Sequence, residues 1–394
     1  MVYPKPRIPT QPILSRASFN AARSSSDHVS SVLDARYVKF VTSGRVAIAL
    51  ALQLMKIGNN HKVLLPAYHC PAMVEPVIWS GATPLFYKIH PDTSVDMEDI
   101  ERLMDDSVKL LIIAHYFGFP QNLIEIRSFC DSKGILLLED CAHAFFGEYL
   151  GKSLGTYGDY AIASTMKFFP IYEGGCLVSD RHNIEQFDLS SAGLRFEIKA
   201  TFNTLEKSFE YNRMRLLQRL LIAPIYFKDL IWKKIKTKAM SGKIKIGPGA
   251  SDGGFGFEEK WLDKRSTFFS RLLIKYVSKK RIVTKRREHF ACLLNALSGL
   301  PGCRPLFTDL PDGTVPHVFP LIVDEPDRVF PILKNAGVPV VRFGEYLWNG
   351  IDSSVCLNSV NLSTNLFQFP CHQELLPDEQ EWMIAQIKKT FLSA

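Results

Sequence analysis

The chain has 394 residues, of which 46 % are hydrophobic and 22 % are charged, and its formal net charge is +7. These fractions are typical of globular proteins and exclude a disordered, collagen-like or disulfide-scaffold chain. No run reaches the roughly 18 apolar residues of a membrane-spanning helix, and Pro4, Pro6 and Pro9 interrupt the stretch where a signal peptide would be apolar. The eight cysteines are irregularly spaced without a Cys-x-x-Cys pair, so we expect reduced thiols and a cytoplasmic protein.

Short β-rich runs begin after an N-terminal stretch that shows no sustained period. Stretches compatible with helices separate several of these runs, which predicts an α/β fold with a mainly parallel sheet covered on both faces. The runs are Lys62–Tyr68, Thr83–Ile89, Lys109–His115, Ile135–Cys141 and Tyr160–Ser164. Ligands bind at the carboxyl ends of the strands in such sheets. Polar residues that follow these strands are therefore the first candidates for a site.

The second half of the chain carries two basic tracts. Residues 206–245 hold 11 Lys/Arg against 3 Asp/Glu, and residues 264–287 hold 10 basic residues and no acidic one. Solvated helix faces, a polyanionic substrate, an acidic partner and an anionic membrane surface are all compatible with this charge. The tract 206–245 also interleaves basic and apolar residues, which is typical of a helix with one buried and one cationic face.

These patterns predict four segments of the chain. A glycine-rich stretch, residues 247–256, is the best linker candidate, and a helix over about 263–298 precedes a smaller α/β portion. The predicted segments are a flexible N-terminal arm (1–35), a large domain (36–200), a basic helical insertion or linker (201–262) and a small C-terminal domain (263–394).

Two segments are candidates for binding or covalent chemistry, one for a phosphate and one for a reactive amine. Ser43, Gly44 and Arg45 precede a helix-like run, and the N–H groups at a helix start suit a phosphate, although an ordinary capped helix has the same pattern. Lys167 lies among apolar neighbours, where desolvation lowers the pKa of an amine as Schiff-base formation requires. A lysine that reaches solvent is an equally good interpretation of that segment.

Asp140 and His143 follow the buried run that ends at Cys141. A carboxylate at a strand end can hold a cation, a metal ion or a protonated ring nitrogen, and it can also simply cap the next helix. Two potential ligands are too few for a metal site, so we predict none. His115 ends another buried strand and is predicted to be structural.

Eight motifs occur in a fixed order, followed by a ninth near the C-terminus. They are Ser43–Ala47, Leu65–Tyr68, Gly81–Phe86, His115–Gly118, Glu139–His143, Gly151–Asp159, Ser164–Lys167 and Glu173–Gly175, with Leu366–Gln373 near the end. Their order resembles the DegT/DnrJ/EryC1/StrS family of pyridoxal-phosphate aminotransferases, which have fold type I: a mainly parallel central sheet between helices, plus a smaller C-terminal α/β domain. The resemblance is strong over about residues 40–180.

The resemblance implies a role for each candidate around the cofactor ring. Lys167 would hold pyridoxal 5'-phosphate as an internal aldimine and then act as the base that moves a proton. Asp140 would keep the pyridine nitrogen protonated, so that the ring can take up negative charge. His143 falls where the family carries a residue against the ring or its oxygen.

For the phosphate, the resemblance implies Ser164 and the amides of Gly44 and Arg45. Two departures lie here: Arg45 replaces the usual threonine, and the chain between Asp159 and Lys167 is two residues shorter than in the familiar sugar aminotransferases.

A further departure concerns the residue that stacks on the ring. The family's aromatic position falls on Cys70, which leaves Tyr68 or His69 for stacking, and we take Tyr68 as the candidate. The asparagine that the family contributes from the partner subunit has no clean counterpart, since Asn212 is one residue out of place.

The function that the resemblance implies is transfer of an amino group from an amino acid, with glutamate as the expected donor, to a keto sugar carried on a nucleotide, for surface polysaccharide or glycoside biosynthesis. It also implies a homodimer. The alternatives are a dehydratase, transamination of a non-sugar ketone, and a non-catalytic regulatory or scaffold protein. Lys167 disfavours the dehydratase, in which the lysine is replaced, and Lys167 with Asp140 disfavours the scaffold. We expect no nucleic-acid partner, and for the tract 206–245 we favour a place at the pocket mouth over contact with a membrane surface.

Overall fold

The computed structural model describes residues 3–20, 28–220 and 257–392. Its large sheet has nine strands in the order β10-β11-β1-β9-β8-β5-β4-β2-β3. The strands of this sheet are β1 (Tyr37–Val41), β2 (Lys62–Pro66), β3 (Thr83–Tyr87), β4 (Val108–Ala114), β5 (Leu136–Asp140), β8 (Tyr160–Ala163), β9 (Gly175–Ser179), β10 (Ser190–Ser191) and β11 (Lys264–Arg265). A separate hairpin, β6 (Glu148–Tyr149) with β7 (Lys152–Ser153), follows β5.

The five strands β8, β5, β4, β2 and β3, which extend from the middle of the sheet to one edge, are parallel to one another. Apolar side chains make β2, β4, β5 and β8 nearly continuous buried runs; in β4 only Lys109 is exposed. Such runs form where helices cover both faces of a sheet. The five predicted strands and the mainly parallel sheet are confirmed, and their carboxyl ends form one edge.

Ten helices can be labelled in the described residues. They are α1 (Gly44–Leu54), α2 (Pro71–Trp79), α3 (Met97–Leu103), α4 (Leu123–Lys133), α5 (Leu194–Glu210), α6 (Phe268–Tyr276), α7 (Lys279–Leu297), α8 (Pro326–Asn335), α9 (Ser353–Asn365) and α10 (Pro377–Leu392). In the described ranges, no helix is long and apolar enough to cross a membrane.

A second sheet lies in the C-terminal part of the chain. It is antiparallel, with the order β12-β13-β15-β14. Its strands are β12 (Cys303–Pro305), β13 (Val318–Val323), β14 (Val341–Arg342) and β15 (Leu366–Pro370). A core of its own, which includes Phe290 from α7 and Met383 from α10, packs against this sheet.

The region around residue 270 differs from the single helix predicted over 263–298. Lys264–Arg265 forms a strand, and the helical stretch is divided at Ser278, whose hydroxyl accepts a hydrogen bond from the Arg281 N–H and so begins α7. A serine in this position satisfies an N–H group that would otherwise lack a partner.

Part of the predicted N-terminal arm packs on the rest of the protein. Ile8, Ile13 and Leu14 are buried, and the hydroxyl groups of Ser15 and Ser18 donate hydrogen bonds to the Glu374 carboxylate over 2.6 and 3.0 Å. The four predicted segments and their boundaries stay predictions. Most of the basic tract 206–245 and the glycine-rich stretch 247–256 lie outside the described residues.

Candidate active site

A cavity of about 780 Å³, partly open to solvent, lies at the carboxyl ends of β4, β5 and β8. Six of the seven residues predicted for the cofactor line it. They are Gly44, Arg45, Asp140, His143, Ser164 and Lys167. Its other lining residues are Ser43, Ile48, Cys70, Ala72, Met73, Ala114, His115, Tyr116, Ala142, Ile162, Met166 and Phe343.

One end of the cavity is formed by the start of α1. The Ser43 hydroxyl accepts a hydrogen bond from the Val46 N–H over 3.3 Å, which caps the helix. A Cβ on Gly44 would lie 4.0 Å from the Ser164 Cβ, and a Cβ on Gly175 would lie only 2.6 Å from the Gly44 nitrogen. The first distance is an ordinary contact, whereas the second is a clash, so glycine at 175 is what allows the helix start to pack against β9. Backbone N–H groups at a helix start, together with the positive end of its dipole, attract a phosphate.

A buried ion pair lies at the same end. Arg45 Nε is 2.9 Å from the Glu75 carboxylate, and both side chains are almost completely buried. The guanidinium stays charged at every physiological pH and has five N–H donors. Arg45, which stands where the resembled family usually has threonine, thus places a cation beside the start of α1.

Asp140 ends β5 and is 8 % exposed. Its Oδ1 accepts a hydrogen bond from the Ala142 N–H over 2.8 Å. Burial raises the pKa of the Asp140 carboxyl above its ordinary value, although the Ala142 N–H and the positive charge of Lys167 act in the opposite direction. A carboxyl of raised pKa is a strong acceptor for a protonated nitrogen in the cavity.

The neighbouring carboxylate, Glu139, points to the other side of the strand. It accepts hydrogen bonds from the N–H groups of Gly155, Tyr157 and Gly158, at 2.5 to 3.0 Å, and lies 3.2 Å from His115 Nε2. The Gly151–Asp159 motif is therefore structural at this point, because its amides surround a buried carboxylate. His115 Nδ1 accepts from the Gln121 N–H, so Nε2 is the nitrogen that donates to Glu139.

His143 is packed between aromatic rings. His317 is stacked on it with the ring centroids 4.7 Å apart, and Phe343 meets it edge-on at 4.8 Å. Burial and the positive charge of Lys167 hold the pKa of His143 well below its ordinary value, so the ring is neutral at pH 7. Its Nδ1 accepts a 3.4 Å hydrogen bond from the Phe117 N–H, which assigns the ring proton to Nε2.

Lys167 ends a short 3-10 turn, Thr165–Lys167, just after β8. The turn brings its side chain to the cavity that Asp140 and Ser164 also line. The carbonyl oxygen of Lys167 accepts a 2.7 Å hydrogen bond from Arg286 of α7. The C-terminal part of the chain thus contacts the backbone of this turn.

Tyr68 is placed differently from the other predicted residues. It is fully buried beneath the cavity lining, its ring stacks on Tyr116, and its hydroxyl donates to the Phe343 carbonyl over 3.0 Å. His69 is also fully buried and stacks on Phe86. The residue of this segment that lines the cavity is Cys70, at the position where the resemblance puts an aromatic residue.

Sequence reasoning missed the residues that the C-terminal part contributes. Phe343 lines the cavity, and His317 lies behind His143. In the sequence, Arg286 stands out only as one of the ten basic residues of the tract 264–287. The Leu366–Gln373 motif was the one available signal for this side of the site.

Comparisons with known proteins identify the class and then the family. The fold is that of fold-type-I pyridoxal-phosphate-dependent transferases. A DegT/DnrJ/EryC1/StrS aminotransferase from Brucella abortus superposes with a TM-score of 0.64 at 16 % identity, covering 91 % of this chain and 87 % of that chain. A putative sugar aminotransferase from Streptococcus pneumoniae, in its pyridoxal-phosphate form, superposes with a TM-score of 0.62 at 16 % identity, covering 91 % and 88 %.

The sequence gives the same family. Residues 25–212 match the model of the DegT/DnrJ/EryC1/StrS aminotransferase family, and the resemblance is confirmed over this part of the chain. A GDP-perosamine synthase from Vibrio cholerae is 32 % identical over 154 residues, which is 38 % of this chain and 41 % of that protein. A dTDP-4-dehydro-2,3,6-trideoxy-D-glucose 4-aminotransferase from Saccharopolyspora spinosa is 33 % identical over 146 residues, which is 36 % and 38 %. The chain thus spans about two fifths of the length of these curated relatives.

Proposed function

We propose that the protein is a pyridoxal-phosphate-dependent aminotransferase that moves an amino group from an amino acid, with glutamate as the expected donor, to a keto sugar carried on a nucleotide. The main observation in support is that one cavity is lined by Lys167, Asp140, Ser164 and the start of α1. Two of the relatives reported above are named as sugar-modifying enzymes, which supports a sugar as the substrate.

The residues present fit this cofactor. The capped helix start beside Ser164 suits its phosphate, and the buried Asp140 carboxylate suits its ring nitrogen. Glycine at 175 allows the close approach of the helix start, because a Cβ there would clash with the backbone of Ser43 and Gly44. Cys70, Ala72 and Met73 line the cavity without an aromatic ring, so this segment would offer the cofactor ring only sulfur and methyl groups.

Each residue has one task in the reaction. Pyridoxal phosphate, when bound, supplies an electron sink for the negative charge that develops on the substrate carbon. Asp140 would accept a charge-assisted hydrogen bond from the protonated ring nitrogen. Lys167 would hold the cofactor covalently and, with its amine free, would move the proton at the substrate carbon. His143, neutral and protonated at Nε2, would offer a hydrogen-bond donor to the cofactor.

The experiment follows each half of the reaction separately. Glutamate added to the cofactor-loaded protein should convert the visible absorbance band to the band of the amine form, with release of 2-oxoglutarate. A nucleotide-linked keto sugar should then restore the first band. Restoration by simple 2-oxo acids alone, with every nucleotide sugar inert, would contradict the proposed substrate class.

We also propose a homodimer that acts in the cytoplasm. Leu194 of α5 and Phe268 and Tyr276 of α6 are 74 %, 64 % and 60 % exposed on two helices that pack together, which supports an apolar contact surface. All eight cysteines are free thiols, in keeping with a reducing compartment. Sedimentation should give the dimer mass for the native protein and the monomer mass for Leu194→Asp combined with Phe268→Asp. A fully active native monomer would contradict the dimer.

A further inference from the structure

The backbone that carries Lys167 is held from the C-terminal side by two polar side chains. Arg286 Nη2 donates to the Lys167 carbonyl over 2.7 Å, and Gln373 Nε2 donates to the Phe168 carbonyl over 2.8 Å. Arg286 and Gln373 also bond each other, since Arg286 Nε donates to Gln373 Oε1 over 3.1 Å. We call these two residues the lysine clamp.

The guanidinium of Arg286 is completely buried and makes four hydrogen bonds. Besides Lys167 and Gln373, it donates from Nη1 to the carbonyls of Pro316 and His317, at 3.2 and 2.8 Å, and it lies 4.4 Å from the centroid of the Phe168 ring. All four of its acceptors are neutral. Burial lowers the pKa of Arg286 to about 10, so the group remains cationic at neutral pH.

Burying a cation without a counter-charge is costly, and hydrogen bonds to carbonyls offset only part of that cost. An apolar side chain could fill the space between α7 and β13 without the desolvation free energy of a buried charge. The arginine instead brings a positive charge and a rigid fork of donors to the carbonyl of Lys167.

Gln373 belongs to the Leu366–Gln373 motif, for which the proposed reaction has no direct role. The orientation of the Gln373 side-chain amide is fixed, because its oxygen accepts from Arg286 Nε and its nitrogen donates to the Phe168 carbonyl. The motif thus connects the end of β15 to the turn Thr165–Lys167. Both members of the lysine clamp lie outside the family match, which ends at residue 212.

We propose that Arg286 and Gln373 are positioning residues for Lys167: they fix the carbonyls of its turn, so that the C-terminal part of the protein sets where the lysine amine lies and how readily that amine binds the cofactor. This inference rests on the proposed role of Lys167 in holding pyridoxal phosphate. Neither residue lines the cavity; both act through the backbone of the turn.

The neighbouring residue on the same helix is a matched control. Arg287 also donates to two backbone carbonyls, of Pro311 and Thr314, at 2.9 and 2.5 Å, and it has no contact with the lysine turn. Arg287→Met therefore makes the same chemical change on α7 and removes the same kind of bond. Any general loss of stability from cutting an arginine on this helix should appear in both variants.

Binding of pyridoxal phosphate to the apoprotein is measured by titration of the visible band for the wild type, Arg286→Met, Gln373→Met and Arg287→Met. We expect the dissociation constant to rise about tenfold in Arg286→Met, because the carbonyls it leaves are buried and unpaired. Gln373→Met should raise it severalfold, and Arg287→Met should leave it within about twofold of the wild type.

A second measurement separates positioning from a structural role. The visible band changes with the protonation of the lysine-linked nitrogen, and a nearby cation disfavours the protonated form. Arg286→Met should therefore raise the pH midpoint of this change, by about half a unit. Arg286→Lys keeps the positive charge but lacks the several N–H donors of the guanidinium. Its pH midpoint should therefore equal that of the wild type, while its affinity for pyridoxal phosphate should lie between those of Arg286→Met and the wild type.

An unchanged dissociation constant and midpoint in a folded Arg286→Met protein would overturn the inference. If Arg286→Met does not fold, Gln373→Met decides by the same two readouts, and wild-type values for both would overturn it. A wild-type protein without a borohydride-sensitive band would overturn the proposed cofactor role and this inference together. A wild type with the band, alongside unaltered variants, would overturn this inference alone.

Discussion

The two walls of the cavity are built differently. The sheet wall consists of strand ends, turns and the start of α1, and its polar groups include Arg45, Asp140, Ser164 and Lys167. The C-terminal wall presents the ring of Phe343 to the cavity, while Arg286 and Gln373 lie behind the lining and bond backbone carbonyls. The charged groups of the lining thus come from the sheet side, and the other wall supplies shape and position.

This difference explains why sequence similarity is unequal along the chain. The family match covers residues 25–212, which include the whole sheet wall. Reaction chemistry constrains residue types tightly, whereas shape can be met by several apolar combinations. We therefore expect changes on the sheet wall to abolish turnover and changes on the C-terminal wall to alter substrate affinity.

Asp140→Asn should have the largest effect. The substitution keeps the shape and removes the charge that holds the ring nitrogen protonated, so kcat should fall by two or more orders of magnitude, roughly. Steady-state kinetics of the cofactor-loaded variant test this. Asp159→Asn is the control, since Asp159 is also buried but bonds Arg127 and the Leu137 N–H outside the cavity. Near-normal turnover of Asp140→Asn would refute its role.

Phe343→Ala tests the other wall. Phe343 contacts the rings of Tyr68, Phe117 and His143 at centroid distances of 4.8 to 5.9 Å. Its loss should raise KM for the sugar substrate severalfold, roughly, and change kcat less, because it removes apolar contact and no reacting group. Phe307→Ala, which removes a half-buried ring stacked on Phe119, should lower stability and leave KM unchanged. A fall in kcat as large as that in Asp140→Asn would erase the distinction between the walls.

His69 joins the two walls, and it predicts a pH effect on stability. Its Nε2 accepts a 3.1 Å hydrogen bond from the Trp348 N–H of the segment that carries Phe343, and its Nδ1 donates to the Pro66 carbonyl. Burial lowers the pKa of His69 to about 4, from an ordinary value of 6.5. The unfolded chain therefore takes up a proton at higher pH than the folded protein does, so this stabilisation is complete above pH 6.5 and is lost as the pH falls toward 4.

We expect the free energy of unfolding of His69→Gln to fall less steeply than that of the wild type as the pH is lowered. Between pH 6.5 and pH 5 the wild type should lose about 1–2 kcal/mol more of its free energy of unfolding than the variant. Urea unfolding at both values measures the difference, and a third measurement at pH 7.5 separates the packing loss from the titration. Parallel profiles for the two proteins would contradict the lowered pKa of His69.

Sequence reasoning reached the sheet wall because its signals are local. The strand over Leu136–Asp140 is a short apolar run that ends in carboxylates, and Lys167 stands among apolar residues directly after another strand. Parallel strands place such ends at one edge, so their proximity follows from the fold class. The ordered motifs then added the expected role of each residue.

The C-terminal wall could not be reached in the same way. Phe343 follows a two-residue strand in a loop without a local signature, and Arg286 looks like one more surface charge in a run of ten basic residues. Its burial depends on carbonyls that other elements bring to it. Tyr68 is a candidate only because the family's aromatic position falls on Cys70, and its ring packs under the lining, which nothing in the local pattern of residues 62–70 indicates.

The central claim is that Lys167 is the residue that holds pyridoxal phosphate. The most direct test is borohydride reduction of the cofactor-loaded protein, followed by proteolysis and mass spectrometry of the peptides. The account predicts a single pyridoxyl phosphate adduct, on Lys167, and its absence from Lys167→Ala together with the visible band. An adduct on another lysine, or a reducible band that survives in Lys167→Ala, would contradict it.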